Sequence, residues 1–267
     1  MSSPHLSCNL DKIALVRNAR DHFGPDVTAA ARACLLAGAH GITLHPRSDR
    51  RHALFEDIRA VMSLMAGMVA AGEIDQAVEM NIEGDLRPDL LDFVAEIKPQ
   101  QFTIVPVNEG EKTSERGWGA EDDHDALTET VRQLGKKTRL SLFIWGDVAS
   151  VEMAAKFGVA AVEFSTGPYA LVEVGLRRVQ VLGHKSDIKA AQLALEKELT
   201  KLSEAASRAR QLGLRINAGH DLTLDNLSLL VRHLQPDEVS IGHALVSEAF
   251  LLGLPEAVKR FLAAAKF

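Results

Sequence analysis

Short apolar runs alternate with longer stretches of helical period along this 267-residue chain. Eight runs read as strands: Leu6–Asn9, Gly41–His45, Val78–Glu83, Gln101–Val105, Arg139–Trp145, Ala161–Phe164, Arg215–Ala218 and Glu238–Ile241. Helical stretches between them include Val27–Ala37, Asp89–Ile97, Val148–Phe157 and Leu224–His233. Several follow good start chemistry, namely Pro25-Asp26, Arg87-Pro88-Asp89 and Thr223. A strict strand–helix rhythm predicts a parallel sheet wrapped by helices. With eight strands, and a length near the ~250 residues such folds commonly fill, the expected architecture is α/β, a (β/α)₈ TIM barrel with extra helices. No linker rich in Pro, Gly or Ser divides the chain, so residues 1–267 read as one domain. The longest helical stretch, about Ser186–Leu212, is dense in Lys, Glu, Ala and Leu and reads as a solvated outer helix, with packing on a partner subunit as its other use.

Composition narrows the classes. Hydrophobic residues make up 46% and charged residues 25%, ordinary for a globular chain with a large core. The net charge is −6 and no basic block occurs, which argues against a nucleic-acid surface. Two cysteines, Cys8 and Cys34, are too few for a disulfide framework or a cysteine zinc site. The first residues lack the charged start and apolar stretch of a secretory signal. No apolar window approaches a membrane span. A cytoplasmic setting is expected.

Chemistry collects where the strands end. Strand one runs into Asn9-Leu10-Asp11-Lys12, strand two into His45-Pro46-Arg47, and strand three into Asn81-Ile82-Glu83. Strand six carries Glu163 and then Ser165-Thr166-Gly167; strand seven meets Asn217-Ala218-Gly219-His220-Asp221, and strand eight Gly242-His243. In a barrel these ends converge on one mouth, where such enzymes place their active sites. The glycine–histidine pairs after the last two strands suit phosphate binding, through backbone N–H groups and a helix N-terminus. Arg47, Arg50, Arg51 and His52 crowd the loop after strand two, which reads either as a second phosphate region or as a solvated loop with salt bridges. Glu83 alone reads as an ion-pair partner; with His45 and His220 at the same mouth it reads as part of an acid–base trio. No H-x-H or H-E-x-x-H pattern is present, so no metal is expected.

Five of these segments resemble the pyridoxine 5′-phosphate synthase family. They are Leu6-Ser7-Cys8-Asn9-Leu10-Asp11-Lys12 with its continuation to Arg20, Gly41–His52, Asn81-Ile82-Glu83, Asn217-Ala218-Gly219-His220 and Ile241-Gly242-His243-Ala244. The similarity runs in order from residue 6 to about residue 254. Lys12 stands where many members have histidine, and a branch of the family is similar to this chain in having lysine there. The segments Met65–Glu79 and Val172–Lys189 are longer than usual in the family.

The resemblance implies condensation of 1-deoxy-D-xylulose 5-phosphate with 3-amino-2-oxopropyl phosphate to pyridoxine 5′-phosphate, phosphate and water, without metal or organic cofactor. It implies His45 and Glu83 as general bases and His220 as general acid. It assigns Asn9, Arg20, the Asp221 backbone, Gly242 and His243 to the aminoketone phosphate, and Asp11, Lys12, Arg47, His52 and Thr113 to the xylulose phosphate. It further implies a homo-octamer built from dimers, with Arg20 reaching a neighbouring active site. Val107–Trp118 is a candidate lid over the mouth. The competing readings are an aldolase using Lys12 as a Schiff-base nucleophile, and a barrel that only binds phosphorylated metabolites.

Overall fold

The computed structural model describes residues 3–20, 24–75, 77–106, 116–119, 121–183 and 185–266. Eight parallel strands close into a barrel in sequence order. They are β1 His5–Asn9, β2 Gly41–Leu44, β3 Glu79–Gly84, β4 Gln101–Ile104, β5 Arg139–Trp145, β6 Ala161–Ser165, β7 Arg215–Gly219 and β8 Glu238–Ile241. Closure is made by β1 on β8, with Cys8 opposite Ile241. The expected (β/α)₈ barrel is the observed one.

Successive strand side chains point to opposite faces, and here the two faces differ sharply. Leu6, Ile42, Leu44, Met80, Ile82, Phe102, Leu142, Phe164, Ile216 and Val239 belong to the apolar core shared with the helices. The alternate positions are polar and bonded to one another around the barrel: Ser7 to Thr43 (2.7 Å), Asn81 to Thr43 (3.3 Å) and Thr103 to Asn81 (3.1 Å). Lower in the barrel, Gln101 joins Arg139, Asn217 and Glu238. The helix-facing layer is therefore hydrophobic and the barrel interior polar, where barrels of this type more often stack Val, Ile and Leu.

The helices are α1 Asp11–Asn18, α2 Val27–Leu36, α3 Phe55–Ala70, α4 Pro88–Ile97, α5 His124–Leu134, α6 Val148–Lys156, α7 Gly167–Leu182, α8 Lys185–Gln211, α9 Leu227–Leu234, α10 His243–Leu252 and α11 Leu254–Ala264. Aspartates cap three of them. Asp26 accepts from the Thr28 N–H (2.8 Å), Asp123 from Ala126 (2.9 Å) and Asp147 from Ser150 (2.8 Å), each satisfying a donor that the helix leaves open. Helix α9 begins three residues later than the pattern predicts. Asn226 accepts from the Thr223 N–H (2.8 Å) and donates to the Asp221 carbonyl (3.0 Å), folding 221–226 into a turn. Helix α8 is not simply a solvated outer helix: Leu195, Leu199, Leu202, Ala205, Ala206 and Ala209 form a buried stripe along it. No helix among the described residues is long and apolar enough to cross a membrane.

Candidate active site

The first three strands deliver a tight polar cluster. Asn9 closes β1, and Asp11 opens α1 two residues later, its own N–H held by the Asn9 side-chain oxygen (3.0 Å). Asp11 Oδ1 accepts the backbone N–H of His45 (2.9 Å), the residue that follows β2, and so ties the two strand ends together. His45 Nδ1 lies 3.8 Å from Glu83 Oε2, and the Asn9 amide donates to the same oxygen across 3.5 Å. His52 Nδ1 stands 3.7 Å from Asp11 Oδ2. Its ring lies edge-on to His45, with centroids 6.4 Å apart.

Burial sets the proton affinities. Removal from water pushes Asp11 up to about 6, against the pull of the His45 N–H and the Asn9 side chain. Glu83 is pushed well above the ordinary carboxylate range, first by burial and then by the charges of Glu163 and Asp11. His45 goes the other way. Burial and the nearby Arg47, His52 and Arg87 hold its ring neutral far below the usual histidine value. His52 drops to about 3 by burial and the charges of Lys12, Arg47 and Arg51.

The loop after β2 is clamped from α1. The side-chain amide of Asn18 donates to the carbonyls of Arg50 (3.2 Å), Arg51 (2.9 Å) and His52 (2.9 Å). Arg50 within that loop has a left-handed backbone, φ 57°. Arg47 is buried at the loop's start, 7% exposed, so a guanidinium is held inside the mouth rather than in solvent.

The opposite wall comes from the later strands. Glu163 of β6 is buried and pushed up to about 8 by burial and by Glu238. Gly219 of β7 packs against it, and a Cβ there would overlap the Glu163 carboxylate, so a larger residue would push that carboxylate from its place. His220 (φ 81°) and Asp221 (φ 56°) follow with left-handed backbones, a pairing that non-glycine residues adopt only when their surroundings impose it. The Thr166 hydroxyl supplies one restraint by donating to the Gly219 carbonyl (2.7 Å) and to that of His220. Phe143 packs against the His220 ring, centroids 4.9 Å apart. Beyond β8, Gly242 caps α10 and packs close to Asn9, presenting the first turn of that helix to the mouth.

These walls enclose a cavity of about 430 Å³, the size of small-metabolite sites. Eleven of the thirteen site residues expected from sequence line it: Asn9, Asp11, Lys12, His45, Arg47, His52, Glu83, His220, Asp221, Gly242 and His243. Arg20 lies exposed beyond the end of α1, outside the cavity lining. Thr113, with positions 107–115 of the candidate lid, lies outside the described residues. The last part of the candidate segment is anchored: the Trp118 N–H donates to the Phe143 carbonyl (2.8 Å), and Gly117 packs on the backbone of Ile144 and Trp145.

The sequence pattern of the pyridoxal phosphate biosynthesis protein PdxJ family matches residues 6–266. The chain belongs to the PdxJ family. It is 42% identical over 261 residues to the pyridoxine 5′-phosphate synthase of Brucella anthropi, covering 97% of this chain and 98% of that protein. It is 41% identical to the enzyme of the same name from Brucella abortus, covering 97% of each. This PdxJ chain is thus an enzyme, of a biosynthetic family. Solved barrels of other families share its fold alone. KGPDC from Streptococcus mutans has a TM-score of 0.59 at 10% identity, covering 99% of this chain and 98% of its own. Phosphoribosyl anthranilate isomerase from Thermotoga maritima has a TM-score of 0.56 at 12% identity, with 98% of each covered.

Two residues of this PdxJ site receive no role from the sequence. Glu163 stands out there as the acid carried by strand six, inside the apolar run Ala161–Phe164, but the run does not show which face it takes. Asn18 is remote in sequence from the loop it holds, and helical spacing alone gives it no role.

Proposed function

We propose that this enzyme condenses 1-deoxy-D-xylulose 5-phosphate with 3-amino-2-oxopropyl phosphate, closing the pyridine ring of pyridoxine 5′-phosphate. One observation carries the reading: Glu83, His45 and His220 line a single cavity together with Lys12, Arg47, His52 and His243. An acid–base set and donors for anions thus face the same ~430 Å³. In this reading the first turn of α10, with Asn9 and the Asp221 backbone, holds the aminoketone phosphate, since a helix N-terminus attracts anions. Asp11, Lys12, Arg47, His52 and Thr113 hold the xylulose phosphate.

The substrate amine attacks the ketone, and loss of water gives an imine. His45 is then suited to take a carbon-bound proton, because burial keeps its ring neutral at pH 7. Glu83 holds its proton more tightly than an ordinary carboxyl, for burial and the Glu163 and Asp11 charges raise it. His220 serves as the acid. Burial lowers its proton affinity and Asp221 opposes that, and two bound phosphates would push it further towards the protonated ring. Phosphate departs, an intramolecular aldol-type addition closes the ring, and loss of a second water makes it aromatic. We assign the chain to the cytoplasm as a homo-octamer built from dimers, with Arg20 reaching a neighbouring mouth.

The test is turnover with both substrates and detection of pyridoxine 5′-phosphate by mass. Absence of product from folded enzyme, with both substrates bound, would leave the barrel a binder of phosphorylated metabolites.

A further inference from the structure

We propose that Asp11, His45 and Glu83 form a binding site for a zinc-class divalent cation, and that the ion, once seated, shuts down proton transfer at the mouth. The binding half stands on geometry alone; the shutdown half rests on the acid–base reading given above.

The three side chains arrive on successive strand ends, and each offers one ligand atom within 4.8 Å of the other two. Donors bonded at about 2.0–2.2 Å to one tetrahedral ion stand roughly 3.3–3.6 Å apart, so closure needs shifts of up to about 1.5 Å, within the reach of side-chain rotation. One imidazole and two carboxylates make a set suited to zinc and its first-row neighbours, with thiolates absent. His45 supplies a second, independent sign. Its side chain is 4% exposed, it lines the cavity, and its Nε2 has no hydrogen-bond partner among the described residues. Buried ring nitrogens are normally bonded, and this one is left available while Nδ1 faces Glu83 at 3.8 Å.

Three protein ligands leave at least one coordination position towards the cavity, as in sites where an ion holds a water or a substrate oxygen. Here the ion would occupy lone pairs that His45 and Glu83 need for accepting protons. Lys12 and Arg47 also face this cavity and oppose a cation, which sets the site for reversible occupancy rather than permanent residence. Bound phosphorylated substrates would compete for the same space.

The experiment titrates Zn²⁺ into chelator-treated, tag-free enzyme by calorimetry, with Co²⁺ absorption as a second readout of coordination. One equivalent per chain should bind. Glu83→Gln and Asp11→Asn should each weaken binding by at least about tenfold, with circular dichroism showing both proteins folded. Turnover should be full after chelation, fall in proportion to Zn²⁺ occupancy and return with EDTA. Absence of saturable binding, or binding unchanged in both variants, overturns the site. Turnover that rises with occupancy overturns the shutdown. If product is never made while one equivalent still binds through these residues, the acid–base reading has failed and the site stands.

Discussion

Glu83 and Lys12 carry the sharpest questions at the scale of single residues. Glu83 receives the Asn9 amide and faces the His45 ring, while Glu163 and Asp11 make its ionised form expensive. Glutamine at this position keeps size and an acceptor but cannot exchange a proton. Glu83→Gln should therefore keep the fold and phosphate binding while turnover falls by about 10²-fold or more, the usual contribution of a positioned acid or base. Near-normal turnover in the purified variant would remove Glu83 from the mechanism. Lys12 occupies the first turn of α1 beside Asp11 and lines the same cavity. The substrate brings its own amine, so the first carbon–nitrogen bond needs none from the enzyme, and an ammonium here can act on a phosphate oxygen as a point charge. Borohydride reduction during turnover should leave Lys12 unmodified, and Lys12→Ala should chiefly raise KM for the xylulose phosphate. A stable mass increase mapped to Lys12 would favour Schiff-base chemistry instead. Glu83 and His45 are legible in the sequence because they end apolar runs. Glu163 is harder, since an acid within a strand signals burial only once the strand's two faces are known.

Among the elements, the loop between β2 and α3 depends on a residue outside it. Asn18 lies in α1, yet its amide serves three consecutive carbonyls of the loop that carries His52. Removing it leaves those carbonyls to water and frees the loop. Asn18→Ala should raise KM for the substrate held by Arg47 and His52 while kcat changes little, because Glu83 and His220 are held from other elements and His45, at the loop's first position, is tied by its N–H to the Asp11 carboxylate. Equal losses in both parameters, or none in KM, would contradict a positioning role. The strands themselves are readable from the chain because their ends coincide with changes of residue type, as at Asn9, Trp145 and Ile241. Helix starts are readable where an aspartate cap announces them, as at Asp26 and Asp147. The start of α9 is not, because the Asn226 side chain builds a turn in which Thr223 is no cap at all. The buried stripe of α8 hides for a similar reason. Its leucines and alanines recur at helical spacing among many charges, and only the neighbouring α6, α7 and α9 settle which face is covered.

At the scale of the whole molecule, the polar interior of the barrel ties stability to pH. Three buried carboxyls, Asp11, Glu163 and Glu238, hold their protons at about 6, 8 and 7, with burial the first cause in each case. Glu238 lies at the foot of the barrel, 4% exposed, with Glu79 repelling its charge, Arg215 and Arg139 attracting it, and the Gln101 amide donating to Oε1. A carboxyl that binds its proton more tightly folded than unfolded favours the folded state fully below the unfolded value, near 4.5, and loses that contribution as pH climbs through the folded value. The window for Glu238 is therefore pH 4.5 to about 7. At ~1.4 kcal/mol per unit, the loss across it is at most about 3.5 kcal/mol. His52 works in the opposite direction. Its proton affinity is lowered from 6.5 to about 3, so its contribution is present above pH 6.5 and fades as pH falls towards 3. Glutamine at 238 can still accept from Gln101 and needs no proton. Denaturant unfolding measured from about pH 5 to about pH 8 should show Glu238→Gln gaining on the natural protein steadily as pH rises. The two should differ least at the acid end, with Asp11 and Glu163 preserving part of the downward slope in both. Parallel stability curves would mean that Glu238 is ionised in the folded barrel throughout, its charge fully met by Arg215 and Arg139.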